Sequence, residues 1–208
     1  VVTLSATFGA GGPIIGPAVA ERLGVPFFDR AVTRLVAQKL GIPLEHAQSR
    51  DERVKGLLAR VLASMSALSA DNWAAAAPPS TARVSDADFF EQVQATIRSL
   101  CEAGGGVVLG RAAALVLREQ PEALHVRLDG DPERRVRMAA DHLGLSEAEA
   151  RDAMEKIDAA TAGYTRHFYG VDPASSKHYH LMLDSTRLPL DVCTEIIVNA
   201  SMACRTAG

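Results

Sequence analysis

Cysteine is scarce, aromatic residues are few and neither sign of charge dominates. The three cysteines, Cys101, Cys193 and Cys204, lie far apart. That excludes a paired-cysteine zinc site and gives no disulfide framework, so they read as reduced thiols in the apolar, helix-like stretches of a cytoplasmic protein. No apolar run approaches the roughly 20 residues that span a membrane, and no signal-peptide pattern opens the sequence. Lys and Arg number 22 against 25 Asp and Glu, a net charge of −3. This argues against a protein that coats a nucleic-acid polymer. What remains is an ordinary soluble composition of 208 residues, 48% of them hydrophobic, enough for one large domain or for a core with an inserted smaller lobe. A homo-oligomer is compatible with it.

A further absence is local. The strand-like run Val1-Val2-Thr3-Leu4 leads into Gly9-Ala10-Gly11-Gly12 and then a helical pattern. Strand, glycine loop and helix form the setting of a phosphate cradle: backbone N–H groups converge, the helix N-terminus adds positive potential, and glycine permits close approach and positive φ. The full motif, G-x-x-x-x-G-K-[ST], then supplies a lysine and a magnesium-holding hydroxyl. Here Pro13-Ile14 follows the glycines and both are missing. On these residues alone the loop is either a phosphate cradle or a ligand-free turn.

Along the chain, strands are predicted at residues 1–6, 25–28, 107–109, 125–128 and 180–183. Helices are predicted from Pro13 to a stop at Gly24, then at 30–40, 44–68, 86–103, 132–142, 146–160 and 190–204. Ser85 is the expected cap of one helix, and Ser146 with Glu149 makes a capping box for another. Residues 69–85, with Trp73 and Pro78-Pro79, read as a flexible loop. Strands alternating with helices give an α/β fold, a parallel sheet flanked by helices on both faces. Residues 30–85 carry no strand and read as a helical lobe.

Phe8-Gly9-Ala10-Gly11-Gly12, with Ile15-Gly16, then Ala20-Glu21-Arg22-Leu23-Gly24 and Pro26-Phe27-Phe28-Asp29-Arg30, resembles the cytidylate kinase-like family. This is a branch of the P-loop nucleoside monophosphate kinases in which a GSGG-type loop replaces the lysine-bearing one. The likeness continues through Gly110-Arg111, Asp131-Pro132 with Arg135-Val136, Leu145-Ser146-Glu147, Lys156-Ile157-Asp158, Tyr164 to Gly170, and Leu183-Asp184-Ser185-Thr186-Arg187-Leu188. It implies a core of residues 1–29, 86–157 and 176–208, a monophosphate-binding lobe at 30–85 and a lid at 158–175. The implied reaction is transfer of the ATP γ-phosphate, with Mg²⁺, to CMP, dCMP or a related acceptor, so the implied partners are nucleotides, with no membrane involved.

Phosphoryl transfer rests on positioning and charge neutralisation, so cations should converge on one phosphate chain. Arg111, after a strand, is expected to face the substrate phosphates, against the alternative of a surface cap. Arg134, Arg135 and Arg137 share a helix and cannot all face one way; Arg135 is taken as the member that faces the site. Arg166 lies in the lid, where it either closes on the transferred phosphate or stays an exposed loop charge. The ATP side is expected at Gly9, Ala10, Gly11, Gly12, Pro13 and Ile14, with Asp184 and Ser185 passing beside the adenine. The acceptor side is expected at Asp29, Arg34, Arg111 and Asp158, and Asp29 equally suits a helix N-cap. His178 and His180 would share one face of a strand, but two histidines without a third ligand do not make a metal site, and none is assigned.

The sequence also departs from the family pattern. Pro13 stands where an arginine is usual, Thr161 where a lid arginine is usual, Tyr179-His180 in place of tyrosine-aspartate, and Asp172-Pro173 where a tryptophan is expected. Losing one charged donor at such a site costs of the order of 10²- to 10³-fold in rate. A nucleotide-binding module without catalysis, acting as a sensor or protein partner, is therefore the alternative.

Overall fold

The computed structural model describes residues 1–29 and 86–206. Five short strands, β1 (Val2–Ala6), β2 (Phe27–Phe28), β3 (Val107–Leu109), β4 (Leu124–Asp129) and β5 (Leu181–Asp184), pair in the order β2-β3-β1-β4-β5. Every pairing is parallel. β1 takes the centre because it is apolar enough to be covered on both faces: Val2, Thr3 and Leu4 are all buried. Val2 lies opposite Val107 on one side and Leu124 on the other.

The helices are α1 (Gly12–Leu23), α2 (Asp86–Glu102), α3 (Ala113–Val116), α4 (Pro132–Leu143), α5 (Glu147–Tyr169) and α6 (Leu190–Thr206). Ile15 and Val19 of α1, with Cys193 and Ile197 of α6, cover one face of the sheet. Val93 and Ile97 of α2, with Val116 and Leu117 after β3, pack against Val108 on the other. Val136 and Ala139 of α4 pack on Ala150 and Met154 of α5 as a satellite core. Gly16 brings α1 down onto β2: a Cβ there would sit 2.5 Å from Phe27 Cε2.

The caps behave as their residues dictate. Gly24 ends α1 in the left-handed conformation at φ 65°. Ser146 and Glu149 form the capping box of α5. Two expectations need correction. The helix expected at 146–160 runs on to Tyr169 before Gly170, at φ 67°, stops it, so most of the expected lid is the far half of one 23-residue helix. Nothing between Ala160 and Tyr169 breaks a helix; Gly163 alone is tolerated. Residues Ser176–His178 form a 3-10 turn, so His178 and His180 do not alternate along a strand. Pro17 lies inside α1 beyond its first turn, where its exposed ring costs no packing. The helices expected at 30–40 and 44–68, the loop at 69–85 and the Ser85 cap lie outside the described residues. None of the described helices is long and apolar enough to cross a membrane.

His180 instead stacks on His125 of β4, ring centroids 4.8 Å apart, and its Nδ1 accepts the His125 N–H at 3.2 Å. His125 is 3% exposed, and its Nδ1 pairs with the Thr3 hydroxyl at 2.8 Å. Burial first, and then the charge of His180, lowers its pKa from 6.5 to about 4. A histidine held neutral by folding binds its proton more readily when unfolded, so stability is fully present above the unfolded value and drains away as pH falls toward the folded one. Denaturant titrations from pH 7 down to 4.5 are expected to lose up to about 3 kcal/mol, most of it before the carboxylates titrate. His125→Gln should flatten that stretch of the profile; an unchanged slope in the variant would assign the loss elsewhere.

Candidate active site

The chain leaves β1 toward one edge of the sheet and leaves β4 toward the other. The crevice beyond their carboxyl ends is where open parallel sheets bind ligands. Both halves of the site begin there: the glycine loop after β1, and beside it a cavity of about 360 Å³.

The loop is Thr7 to Gly11. Gly9 and Gly11 take φ of 78° and 72°, the left-handed region that only glycine enters freely. At Gly9 a Cβ would run into the backbone carbonyl of Arg135, so α4 presses on the loop. The Phe8 peptide group is gripped on both sides. Its N–H donates to Asp158 Oδ1 at 2.9 Å, and its carbonyl accepts from Arg135 Nη1 at 3.1 Å. The two side chains close the ring, Arg135 Nη1 donating to Asp158 Oδ2 at 2.6 Å. From below, the buried Ser185 hydroxyl donates to the Ala10 carbonyl at 2.8 Å.

This accounting divides the amides. The Ala10 N–H turns back to the Thr7 carbonyl at 3.1 Å, and the Ile14 N–H donates to the Gly11 carbonyl at 3.0 Å. Pro13 has no N–H to give. Ala10, Pro13 and Ile14 therefore drop out as backbone donors to an anion, and the exposed Pro13 and Ile14 side chains bring no charge. Gly9, Gly11 and Gly12 keep N–H groups that make no hydrogen bond to another described residue, at the N-terminus of a 12-residue helix. That arrangement fits a phosphate.

The cavity is walled by Ser5 and Ala6 at the end of β1 and Thr7 after it, Gly110 to Ala112 after β3, Arg127 and Asp129 of β4, and the α5 stretch from Asp158 to Arg166. Gly110, Arg111 and Ala112 are all left-handed, at φ 75°, 58° and 51°. Two consecutive non-glycine residues in that region make a strained turn. It aims Arg111 so that its Nε donates to the Asp29 carbonyl at 3.1 Å, bringing those two expected site residues together. Arg166 reaches the cavity rim and pairs loosely with Asp172 at 3.4 Å, both side chains more than half exposed. Arg34 lies outside the described residues.

Other expected residues are placed differently. Arg135 is 7% exposed and its Nη1 is committed to the loop clamp, as are both oxygens of Asp158. These two hold the loop instead of reaching freely for substrate. Asp184 spends its carboxylate on the Thr186 N–H and hydroxyl, at 3.1 and 2.6 Å, and Ser185 is fully buried. Two residues were not singled out from sequence. Arg127, 8% exposed, donates Nε and Nη2 to Asp129 Oδ2 at 3.1 and 2.8 Å. Burial pushes the Asp129 carboxyl up, but the Gly130 N–H, the Arg127 guanidinium and the Thr7 hydroxyl outweigh it and hold the group below the usual carboxylate range. A charged residue inside an otherwise apolar parallel strand was the available signal.

The residues of the cytidylate kinase-like family match this chain over positions 1–187. The chain belongs to the cytidylate kinase-like family. That family makes it a nucleotide kinase-like protein. Among solved structures, an uncharacterized protein from Eubacterium ventriosum superposes with a TM-score of 0.68 at 17% identity, over 96% of each chain. A shikimate kinase from Bacteroides thetaiotaomicron gives 0.46 at 16% identity, over 96% of this chain and 94% of that one. A shikimate kinase from Acinetobacter baumannii, in complex with shikimate, gives 0.47 at 12% identity, over 97% and 92%. No curated protein matches. In this family member the amides of Gly9, Gly11 and Gly12 fit phosphate oxygens. Asp129 accepts from Thr7, Gly130 and Arg127, Asp158 accepts from Phe8 and Arg135, and no cluster of three acidic, histidine or cysteine side chains suited to a metal is found among the described residues.

Two substitutions test the loop. Gly9→Ala should cost about 2 kcal/mol in thermal or denaturant unfolding, through positive φ and collision with Arg135. Asp158→Asn leaves the Arg135 guanidinium buried with only the more distant Asp129, 4.0 Å from its Nε, as counter-charge. Urea denaturation should register a loss of about 3 kcal/mol; a loss well under 1 kcal/mol would show that the clamp does not hold the loop.

Proposed function

We propose that this chain transfers the γ-phosphoryl group of ATP to CMP, dCMP or a related small phosphoacceptor. The observation that carries the reading is the adjacency of two half-sites at one sheet edge: a glycine loop with three uncommitted amides, and an arginine-lined cavity beside it. ATP would supply the phosphoryl group, and Mg²⁺ bound to it would offset the charge of its phosphates.

The amides of Gly9, Gly11 and Gly12 receive phosphate oxygens, and the N-terminus of α1 adds positive potential. Asp158 and Arg135 act through the Phe8 peptide, fixing the loop before substrate arrives, so that little reorganisation is needed during reaction. Arg111, anchored on Asp29, faces the acceptor phosphate. Residues 30–85, with Arg34, supply the rest of the acceptor side, and Asp184 borders the adenine. Arg166 is the mobile charge: exchanging its exposed Asp172 partner for a phosphate oxygen costs little, because such surface pairs contribute under about 1 kcal/mol. Closure of the 158–175 region then excludes water.

The loop's lack of any cation favours a second reading, nucleotide binding without turnover, because backbone amides hold phosphate without the absent side chain. A coupled assay for nucleoside diphosphate formation, run over the common monophosphates, separates the two. Turnover with CMP or dCMP is expected, and Arg111→Ala should lower kcat by about 10²- to 10³-fold with the fold intact by circular dichroism. ATP binding by calorimetry with a silent assay would favour the binding module.

A further inference from the structure

Arg127 is the cavity residue whose surroundings ask most for an explanation. Besides its two bonds to Asp129, its Nη1 donates to the Pro173 carbonyl at 2.8 Å. The Tyr179 hydroxyl donates to the same carbonyl at 2.9 Å, and the guanidinium carbon lies 5.8 Å from the centre of the Tyr179 ring. Asp129 carries the connection onward, its Oδ1 accepting from the Thr7 hydroxyl at 3.0 Å. Thr7 is the residue between β1 and the glycine loop. An unbroken chain of bonds therefore runs from the segment that follows α5, through the buried Arg127 and the half-buried Asp129, to the start of the loop.

We propose that Arg127 is a positioning residue that couples the seating of residues 171–175 against the cavity to the placement of the glycine loop. The physical reason lies in burial. A guanidinium 8% exposed gains little from water, so drawing Pro173 away strands a buried donor and frees the Tyr179 hydroxyl as well. Shifting Thr7 removes one of the two donors to Asp129 Oδ1, the other being the Gly130 N–H, and loosens the carboxylate that orients Arg127. Each end is thus more stable with the other in place, which is a coupling free energy. Apart from this anchor the segment is lightly held: Asp172 accepts an exposed bond from Arg166 at 3.4 Å and one from the Ala174 N–H at 3.2 Å. The catalytic meaning rests on the phosphoryl-transfer reading, in which Arg166 and the loop must be in place together; the coupling itself does not.

Hydrogen exchange read by mass spectrometry on the ligand-free full chain tests it. Thr7→Val removes one hydroxyl at the loop end and keeps the shape. Exchange at residues 171–176 should nevertheless quicken by about tenfold. Tyr179→Phe at the other end should quicken exchange at residues 8–12 as well as locally. A purely structural Arg127 moves neither remote reading. Arg127→Gln should loosen both segments; should it fail to fold, the other two variants, which leave all charges in place, still decide. Unchanged exchange at 171–176 in Thr7→Val, or strictly additive effects in the Thr7→Val, Tyr179→Phe pair, would overturn the proposal. Millimolar ATP with Mg²⁺ should slow exchange at 171–176 in the wild type far more than in Arg127→Gln. No slowing in the wild type, with the ligand-free coupling present, would count against the phosphoryl-transfer reading alone.

Discussion

The peptide group of Phe8 is held by one carboxylate and one guanidinium that also hold each other: Asp158 on its N–H, Arg135 on its carbonyl, 2.6 Å between the pair. The glycine loop depends on this grip. A run containing Gly9, Gly11 and Gly12 has almost no side-chain surface to pack, and glycine surrenders more backbone freedom on ordering than any other residue. Its conformation must be imposed from outside. Arg135 comes from α4 and Asp158 from α5, and those two helices meet through Val136, Ala139, Ala150 and Met154. The satellite core thereby sets the distance between the two charges, and the charges set the loop.

The same constraint explains how charge is used around the cavity. Of its arginines, Arg127 and Arg135 are nearly buried and bonded to Asp129 and Asp158, while Arg166 is well exposed and loosely paired. Burying a cation is costly without a partner, so the two inner arginines exist as paired, rigid parts of the architecture. The outer one keeps its hydration and its freedom. A loop with no cation of its own sits beside a frame whose inner cations serve geometry. Arginine suits that task better than lysine, since its fork holds several acceptors at once.

Much of the frame was legible along the chain. Short apolar runs such as Val107-Val108-Leu109 read as buried parallel strands, Gly24 read as a helix stop, and Ser146 with Glu149 read as a helix start. The loop glycines and Arg111 marked one sheet edge, and the family likeness they carried is met over residues 1–187. The continuous α5 was less legible, because its helix was expected to end at 160 and nothing in the residues that follow stops it before Gly170. The roles of Arg135, Asp158 and Ser185 were not legible at all, since their partners lie 127, 150 and 175 residues away in sequence.

Among the described residues, the sequence by itself determined which segments are strand or helix, where most of them begin, and that the first strand opens into a glycine loop without a lysine. These are local matters of apolar period, capping and backbone freedom. Only the tertiary structure decided which amides of the loop stay uncommitted, which arginines are spent on holding it, and that Arg127 ties the segment after α5 to Thr7. Those outcomes turn on pairings between charges far apart in the chain, and burial makes each of them worth forming only once the sheet and its helices have closed around it.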